Sequence, residues 1–231
     1  MKTIGLIGGT TWISTIEYYR AINEMVNGRL GKANNAQCIL YSFNFQNISE
    51  IIDRREWDAM SREFLAAAKK LEMAGADCVL FCANTAHLTA NSVRGEISIP
   101  LIHIGEATVK EALRRGITKK IGLLGTRFTM EMDFIKEKFT EKNIEVLIPD
   151  VHDREFIHRS IFDELGKNIF LDSTKQRYQS IIQSLIAQGA EGIILGCTEI
   201  PLLLNQNDAP VPIFDTTLIH AAAAVEFALK D

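Results

Sequence analysis

Short apolar runs alternate with longer amphipathic stretches along the whole chain. Glycine, proline or polar residues bound most of these runs, which is typical of buried strands. We predict strands at Thr3–Ile7, Gln37–Phe43, Cys78–Phe81, Leu101–Ile104, Lys120–Leu124, Glu145–Ile148, Gly192–Leu195 and Val211–Phe214. Because strands that alternate with helix-length segments form βαβ units, the predicted fold class is α/β with mainly parallel sheets.

The stretches between the runs carry helix signals. The helix expected at Trp57–Met73 has an apolar face formed by Trp57, Met60, Phe64, Ala67 and Leu71, which we interpret as core. Ser14 and Glu17 fit a capping box, and Thr129 is placed to cap a helix over Met130–Lys142. Glycines that end a helix with a positive φ are expected at Gly75, Gly116 and Gly189.

The pattern of the first half returns in the second half. Ile4–Thr10 is echoed by Ile121–Thr126, and Gly75–Phe81 by Gly189–Leu195. A third pair, Pro100–His103 and Pro212–Asp215, follows in the same order, and ordered repeats of this kind indicate duplication.

The duplication predicts two pseudo-symmetric α/β lobes with the active site in the cleft between them. We expect the first lobe to comprise 1–100 plus 210–231 and the second to comprise 101–209. Ligands of open parallel sheets bind at the carboxyl ends of the strands, which is where we expect the site.

Composition narrows the class of protein. The chain has 231 residues, 47% of them hydrophobic and 23% charged, with a net charge of −4. That balance argues against nucleic acid or an anionic membrane as partner, since both select clustered positive charge. No apolar stretch approaches the roughly 18 residues of a membrane span, and no signal-peptide core follows Met1. We therefore expect a cytoplasmic protein with reduced cysteines.

Two of the four cysteines stand at matching places in the duplicated halves. Cys82 follows Phe81 and precedes Ala83-Asn84-Thr85, and Cys197 follows Gly196 and precedes Thr198-Glu199. At the start of a helix, free N–H groups bind anions and the helix dipole lowers a thiol pKa from about 8.5. We expect a substrate carboxylate among Asn84, Thr85 and Thr198. Two thiols on opposite sides of a carbon could invert a stereocentre.

Other interpretations of the cysteines stay open. Buried cysteines often act as small hydrophobes, and we prefer that for Cys38 and Cys78. A metal site would combine Cys78 and Cys82 with Cys197 or His87, but this is not a standard zinc spacing. A redox pair is disfavoured because the chain has no Cys-x-x-Cys.

The loop Gly8-Gly9-Thr10-Thr11 comes directly after the first predicted strand. It lacks the G-x-G-x-x-G pattern and a following Lys-Ser/Thr, so a nucleotide cofactor is not expected. Thr10, Thr11 and their counterpart Thr126 either donate hydrogen bonds to a ligand or only terminate strands.

Several of these segments together resemble the aspartate/glutamate racemase family. The similar segments are Gly8–Thr15, Cys82–Thr85, Leu124–Arg127, Gly196–Ile200 and Phe214–Thr216. Glu199, where glutamate racemases of cell-wall synthesis carry His, is similar to the aspartate-racemase branch and its broad-specificity relatives.

The resemblance implies an amino-acid racemase that uses no pyridoxal phosphate or other cofactor and forms a homodimer. It implies that Cys82 and Cys197 are the two acid/base residues, and that Arg54 and Lys167 contact a substrate carboxylate. We expect Glu199 to orient or deprotonate its neighbouring thiol. Thr11, Asn84, Thr85, Thr126 and Thr198 complete the expected substrate contacts.

The substrate expected from this similarity is aspartate, with glutamate or a broader set of amino acids left open. Two alternatives remain at this point. One is a two-lobed protein that binds amino acids or dicarboxylates without catalysis. The other is an enzyme of the same fold with maleate-isomerase or decarboxylase chemistry.

Overall fold

The computed structural model describes residues 1–230, which form two compact α/β units. The first unit contains residues 1–104 and continues at 217–230, and the second contains 105–216. The first unit is therefore built from two separate stretches of the chain.

The first unit is built on a four-stranded parallel sheet. Its strands are β1 Ile4–Gly8, β2 Cys38–Ser42, β3 Cys78–Phe81 and β4 Leu101–Ile102, in the order β2-β1-β3-β4. Ile7 of β1 aligns with Tyr41 on one side and Phe81 on the other. The central strands β1 and β3 are buried along their whole length, because helices cover both faces of such a sheet. The helices here are α1 Trp12–Leu30, α2 Phe45–Asp53, α3 Trp57–Met73, α4 Ala90–Arg94 and α11 Thr216–Leu229, with a 3-10 helix at Thr85–Thr89.

The second unit repeats this topology. Its strands are β5 Lys120–Gly125, β6 Glu145–Leu147, β7 Ile193–Gly196 and β8 Ile213–Asp215, in the order β6-β5-β7-β8. The helices are α5 Ile104–Arg114, α6 Arg127–Glu131, α7 Asp133–Thr140, α8 Val151–Asp163, α9 Asp172–Ala187 and α10 Ile200–Leu203, with 3-10 helices at Leu165–Lys167 and Gln206–Asp208. The two parallel sheets confirm the predicted α/β class, and their matched strand order fits the internal repeat.

Strand pairing decides where the outer strands belong. β4 pairs with β3 and lies in the first unit, and β8 pairs with β7 and lies in the second. The lobe limits expected from the sequence would have put each strand in the other half. The repeat motif alone does not show which neighbour a short edge strand will pair with.

The helix predictions were right for the core face and the glycine ends. Residues Met60, Phe64, Ala67 and Leu71 of α3 are buried. The three glycines that end helices all have positive φ: Gly75 at 92°, Gly116 at 85° and Gly189 at 99°. At this backbone conformation glycine avoids the clash that a Cβ would introduce.

Both predicted helix starts were wrong by three residues. The N-cap of α1 is Thr11, whose Oγ1 accepts from the Ser14 N–H at 3.2 Å. The N-cap of α6 is Thr126, whose Oγ1 accepts from the Thr129 N–H at 3.4 Å. In each case two hydroxyl residues stand three apart, and the upstream hydroxyl takes the cap.

Each unit has its own buried core. In the second unit, one cluster packs α8 and α9 against β5 and β7, around Tyr178 and Ile193. In the first unit, one cluster packs α3 against the sheet, and another packs α1 and α11 against it. Within residues 1–230, no helix combines the length and apolar character of a membrane span.

Candidate active site

Cys82 comes directly after the central strand β3 of the first unit. Its N–H donates to the Ile7 carbonyl of β1 at 2.9 Å, which fixes the residue at the carboxyl edge of the sheet. Its side chain is buried, and its sulfur has no side-chain hydrogen-bond partner among residues 1–230. The chain then turns into the 3-10 helix Thr85–Thr89.

Cys197 comes directly after the central strand β7 of the second unit. β7 lies between β5 and β8, as β3 lies between β1 and β4. The Cys197 side chain is partly buried, and the short helix α10 begins three residues later. Each cysteine is therefore the first residue after the central strand of its own sheet, in two sheets of the same topology.

Glycines let a threonine pack closely against each of these edges. A Cβ built on Gly8 would lie 2.4 Å from Thr15 Cγ2. In the second unit, Cβ atoms on Gly125 and Gly196 would lie 2.9 and 2.8 Å from Thr129 Cγ2. A Cβ atom cannot lie this close to another heavy atom. Glycine at these positions therefore lets the backbone beside each thiol pack tightly.

A buried carboxylate accompanies Cys197. The Cys197 thiol donates to Glu199 Oε2 at 2.8 Å, and the Thr198 hydroxyl donates to the same oxygen at 2.8 Å. Glu199 is only 6% exposed. The short bond gives the thiol proton a direct path to a carboxylate oxygen.

The pKa of both thiols shifts opposite to the predicted direction. Burial raises the pKa of Cys82, and burial together with the Glu199 charge raises the pKa of Cys197 well above its usual value. The helices after the cysteines are a 3-10 helix of five residues and an α-helix of four. Such short helices carry little dipole, so removal of water from the thiol dominates its pKa.

The other two cysteines pack as small side chains in the core of the first unit, where Cys78 is buried and Cys38 is partly buried. Burial raises the pKa of Cys38 to about 11 and that of Cys78 to about 12. Within the described chain, no group of three or more His, Cys, Asp or Glu residues is arranged to hold a metal ion.

Thr11 and Thr126 lie at equivalent loops of the two units. Each is half-buried and caps the helix that follows the first strand of its sheet. Thr11 Oγ1 also donates to Ser14 Oγ at 3.1 Å, and Thr126 Oγ1 lies 3.1 Å from Thr129 Oγ1. Both hydroxyls therefore have an established capping role.

Asn84 and Thr85 follow Cys82 in the same loop. Asn84 is 6% exposed, and its carbonyl accepts from the His87 N–H at 3.0 Å. Thr85 is half-buried at the first position of the 3-10 helix. The loops after β1 and β3 thus bring Thr11, Cys82, Asn84 and Thr85 to one edge of the first sheet. The equivalent edge of the second sheet carries Thr126, Cys197, Thr198 and Glu199.

The two predicted cations are exposed surface residues. Arg54 is the C-cap of α2 and lies 3.4 Å from Glu50, with 62% of its side chain exposed. Lys167 lies in the 3-10 helix Leu165–Lys167, 3.9 Å from Asp163, with 61% exposed. Ion pairs this open hold a side chain weakly, so both cations can exchange their present partner for another anion.

A buried polar group in the first unit was not predicted from the sequence. Tyr18, His103 and His220 lie in its core, and His87 joins them. Their positions are spread over α1, the 3-10 helix, the residue after β4, and α11, so no local motif links them. The one local signal is the spacing of His87 five residues after Cys82.

Tyr178 is the corresponding buried polar ring in the second unit. Its hydroxyl lies 2.9 Å from Ser160 Oγ. Burial raises the pKa of Tyr178 above its usual value, and the nearby Cys197 and Glu199 add to the shift. The Tyr178 hydroxyl is therefore neutral, and its ring belongs to the core cluster against which Cys197 packs.

The family model for Asp/Glu/Hydantoin racemases matches residues 7–224 of the chain. Among curated proteins, the broad specificity amino-acid racemase RacX of Bacillus subtilis is 29% identical over 168 residues, which cover 73% of this chain and 72% of RacX.

Solved structures agree along the full length. A Yersinia pestis protein described as a candidate Asp/Glu racemase is 45% identical with a TM-score of 0.94, and each chain is covered completely. An aspartate racemase homologue from Pyrococcus horikoshii OT3 is 38% identical with a TM-score of 0.88, again over 100% of both chains.

Proposed function

Because the chain belongs to the Asp/Glu/Hydantoin racemase family, we propose that it interconverts L- and D-aspartate with Cys82 and Cys197 as its two acid/base residues. The observation that carries this proposal is the placement of the thiols. Each follows the central strand of its own sheet, at an edge where open parallel sheets bind ligands. A protein that only binds an amino acid has no use for a matched pair of thiols.

The proposed reaction exchanges one proton on each face of the α-carbon. A thiolate removes the α-proton, so that the C–H bond breaks and an S–H bond forms. The thiol of the other cysteine then gives its proton to the opposite face, which forms the new C–H bond and leaves a thiolate. The next turnover runs in the other direction or follows proton exchange with solvent.

Glu199 is the proposed proton acceptor for Cys197. In the structure the Cys197 sulfur holds its proton and donates to Glu199 Oε2 at 2.8 Å. When Cys197 acts as the base, this proton moves along the bond to the carboxylate. When Cys197 acts as the acid, the raised pKa means that the thiol carries the proton that it transfers.

The carboxylates of the substrate need fixed donors, because removal of an α-proton places charge on the α-carboxylate. We propose that Thr11, Asn84 and Thr85 from the first unit, with Thr126 and Thr198 from the second, supply hydrogen bonds to the substrate. Arg54 and Lys167 supply positive charge. An acidic amino acid matches two cations better than a neutral one.

A second candidate is a wider substrate range. The similarity to the broad specificity racemase RacX favours it, while the higher identity to the Pyrococcus horikoshii aspartate racemase homologue favours an acidic substrate. Rates for a panel of amino acids will separate the two.

We further propose that the enzyme uses no pyridoxal phosphate and works as a homodimer in the cytoplasm, where two catalytic thiols stay reduced. The first helix offers a surface for the dimer, since Trp12, Ile16 and Tyr19 of α1 are 68%, 51% and 53% exposed and follow helical spacing. Sedimentation equilibrium of the protein and of Ile16→Asp tests this surface. A dimer unchanged by the substitution would exclude it.

Proton NMR in D₂O is the decisive test of the function. The reduced protein is mixed with single L- and D-amino acids, and the α-proton signal and the optical purity are followed together. We expect aspartate to lose its α-proton and to racemise, and racemisation to stop in Cys82→Ser and in Cys197→Ser. If both variants racemise aspartate as fast as the parent protein, the two-cysteine assignment is wrong.

A further inference from the structure

Three buried histidines form a cluster beside the Cys82 loop. His87, His103 and His220 are 2%, 3% and 0% exposed. The ring centroid of His87 lies 4.8 Å from that of His103 and 5.1 Å from that of His220, with edge-to-face geometry. All three belong to the first unit.

The neighbours of His220 fix its protonation. Its Nε2 lies 2.8 Å from the Ile102 carbonyl, which can only accept, so Nε2 carries the hydrogen. Its Nδ1 lies 2.9 Å from the Tyr18 hydroxyl and therefore accepts that proton in the neutral ring. Both ring nitrogens of His220 are thus hydrogen-bonded, and the fixed ring packs against His87.

The same reasoning fixes His87. Its Nδ1 lies 3.0 Å from the Ala83 carbonyl, so Nδ1 carries the hydrogen and donates. Its Nε2 is buried without a hydrogen-bond partner among residues 1–230. Burial and the neighbouring His103 hold the pKa of His87 well below its usual value, so the ring stays neutral.

His87 holds two successive carbonyls of the loop that carries the thiol. The Nδ1–H binds the Ala83 carbonyl, and the backbone N–H of His87 binds the Asn84 carbonyl at 3.0 Å. On the other side, the N–H of Cys82 binds the Ile7 carbonyl. Cys82 therefore lies between a hydrogen bond to the β1 backbone, on its own N–H, and a hydrogen bond from the His87 imidazole to the next residue.

The carbonyl bond also sets the direction of the next peptide group. The described chain has no cis peptide bond. In a trans peptide the N–H points opposite to the carbonyl, so the bond from His87 turns the Asn84 N–H away from the ring. The peptide between Cys82 and the expected substrate contact Asn84 cannot rotate while this bond stands.

We propose that His87 is a positioning residue for Cys82, which it holds in place through the Ala83 carbonyl. The inference rests on the proposed function, because it concerns the thiol that acts as acid and base. It assigns to the first unit a device unlike that of the second, where Glu199 binds the thiol itself. The packing of His103 and His220 against the ring keeps the donor aimed at the carbonyl.

A series of substitutions at His87 separates the donor from the ring. In His87→Asn the side-chain amide can place an N–H near the position of Nδ1. In His87→Gln the amide lies near the position of Nε2, and in His87→Leu no donor remains. We expect His87→Asn to stay within about 3-fold of the parent, and the other two to lose about 30- to 100-fold, since a small misplacement of a reacting group costs about 100-fold.

The assay isolates each thiol. In a Cys197→Ser background only Cys82 can exchange an α-proton with D₂O, and in a Cys82→Ser background only Cys197 can. The His87→Gln and His87→Leu losses should appear in the first background and be absent in the second. Equal losses in both backgrounds, or no loss in the first, would overturn the proposal.

Tyr18→Phe is the matched control, because it removes a buried hydroxyl from the same cluster without touching the loop. It should lower stability and leave Cys82-dependent exchange unchanged. If the parent protein exchanges no α-proton with any amino acid, the proposed function fails. In that case, or if exchange is absent from both single-cysteine backgrounds with His87 intact, a second readout decides about His87.

That readout is the pH dependence of iodoacetamide alkylation at Cys82 and Cys197, measured separately by peptide mass spectrometry. His87→Leu should change the Cys82 profile at least about 3-fold in rate at one pH, with His87→Asn restoring it and Cys197 unchanged. Identical Cys82 profiles in the parent and His87→Leu would overturn the proposal. If His87→Leu does not fold, His87→Gln takes its place in the same comparison.

Discussion

The loop after β3 and the loop after β7 each position a cysteine, but the groups around the two thiols differ in chemistry. Both place a cysteine at the carboxyl edge of a central strand, and in each unit a glycine at the end of a strand admits a threonine close to the backbone. Cys197 donates directly to the carboxylate of Glu199, whereas the Cys82 thiol has no such partner and its loop is held by a neutral imidazole.

The difference concerns what each thiol can do with its proton. Cys197 has an acceptor 2.8 Å away, so it can change protonation state without water. Cys82 sits in an uncharged environment of aromatic rings and aliphatic side chains, which favours the neutral thiol. A duplicated fold can thus keep its geometry in both halves while the electrostatics diverge.

The largest expected effect comes from removing the charge of Glu199. In Glu199→Gln the side chain keeps its size but can no longer take the thiol proton. We expect Cys197-dependent α-proton exchange to fall by about 100- to 1,000-fold, within the usual range for loss of a general base. Exchange in D₂O is measured in the Cys82→Ser background.

Cys82-dependent exchange, in the Cys197→Ser background, should not change with Glu199→Gln. Glu191→Gln is the matched control, because Glu191 accepts from the backbone N–H groups of Thr118 and Lys119 at 2.7 and 3.0 Å rather than from a thiol. A loss of Cys82-dependent exchange as large as that of Cys197 would remove the distinction between the two loops.

The next effect is on stability at acid pH. The pKa values of His87 and His220 lie well below their usual value in the folded protein because burial disfavours the charged ring. Below about pH 6.5 the unfolded chain binds protons that the folded chain does not. Stability is therefore complete above that pH and falls as the pH drops, by about 1.4 kcal/mol per pH unit for each histidine.

Urea unfolding between pH 7.5 and 5.5 measures this slope. His220→Gln should reduce this slope by about one proton. Hydrogen exchange of peptides from each unit should show greater acid sensitivity in the first unit. In the second unit, burial also lowers the pKa of His158, which is half-buried. Equal slopes for the parent and His220→Gln would contradict the assignment.

Substitution of the glycines that pack against a threonine in each unit should have a smaller effect on stability. Gly8→Ala and Gly125→Ala would force a Cβ to within 2.4 and 2.9 Å of a threonine side chain, at a cost of about 1–3 kcal/mol from overpacking. Gly28→Ala, within α1 and with no atom within 4 Å, should stabilise by roughly 0.5–1 kcal/mol. Urea midpoints provide the measurement, and a loss confined to one of the first two variants would show that the units differ in packing as well.

The smallest effect is expected from the exposed cations. Arg54→Met and Lys167→Met should each raise the KM for aspartate by about 10-fold, which corresponds to about 1.4 kcal/mol. Stability should change by no more than about 0.5 kcal/mol, since both side chains are exposed. Arg55→Met, next in the chain and also exposed, is the control for Arg54. A KM change at Arg55 instead would move the contact by one residue.

The strands were predictable because buried parallel strands are continuous apolar runs. β3 was predicted at its observed limits, and β5 differs only by the added Gly125. The helix starts were less predictable, since Thr11 and Ser14 both satisfy the local rule and only three-dimensional geometry selects the cap. Ser14 instead donates to the Thr11 carbonyl at 3.0 Å.

The buried histidine cluster could not be predicted from spacing. Tyr18 and His220 are 202 positions apart, and their contact depends on the packing of α1 against α11. The direction of the thiol pKa shifts was also out of reach. It depends on how completely water is removed from Cys82 and on how short the following helices are.

The path of the chain through the units has a consequence for biosynthesis. The core of the second unit is built from one uninterrupted stretch, from Leu124 to Ala209. The cluster around Cys82, by contrast, includes Ala221, Ala224 and Val225 of α11. On the ribosome, the second unit can complete its core first, although its residues are translated after most of the first unit. One face of the first sheet stays uncovered until α11 has left the ribosome. Cys82 is therefore buried later than Cys197.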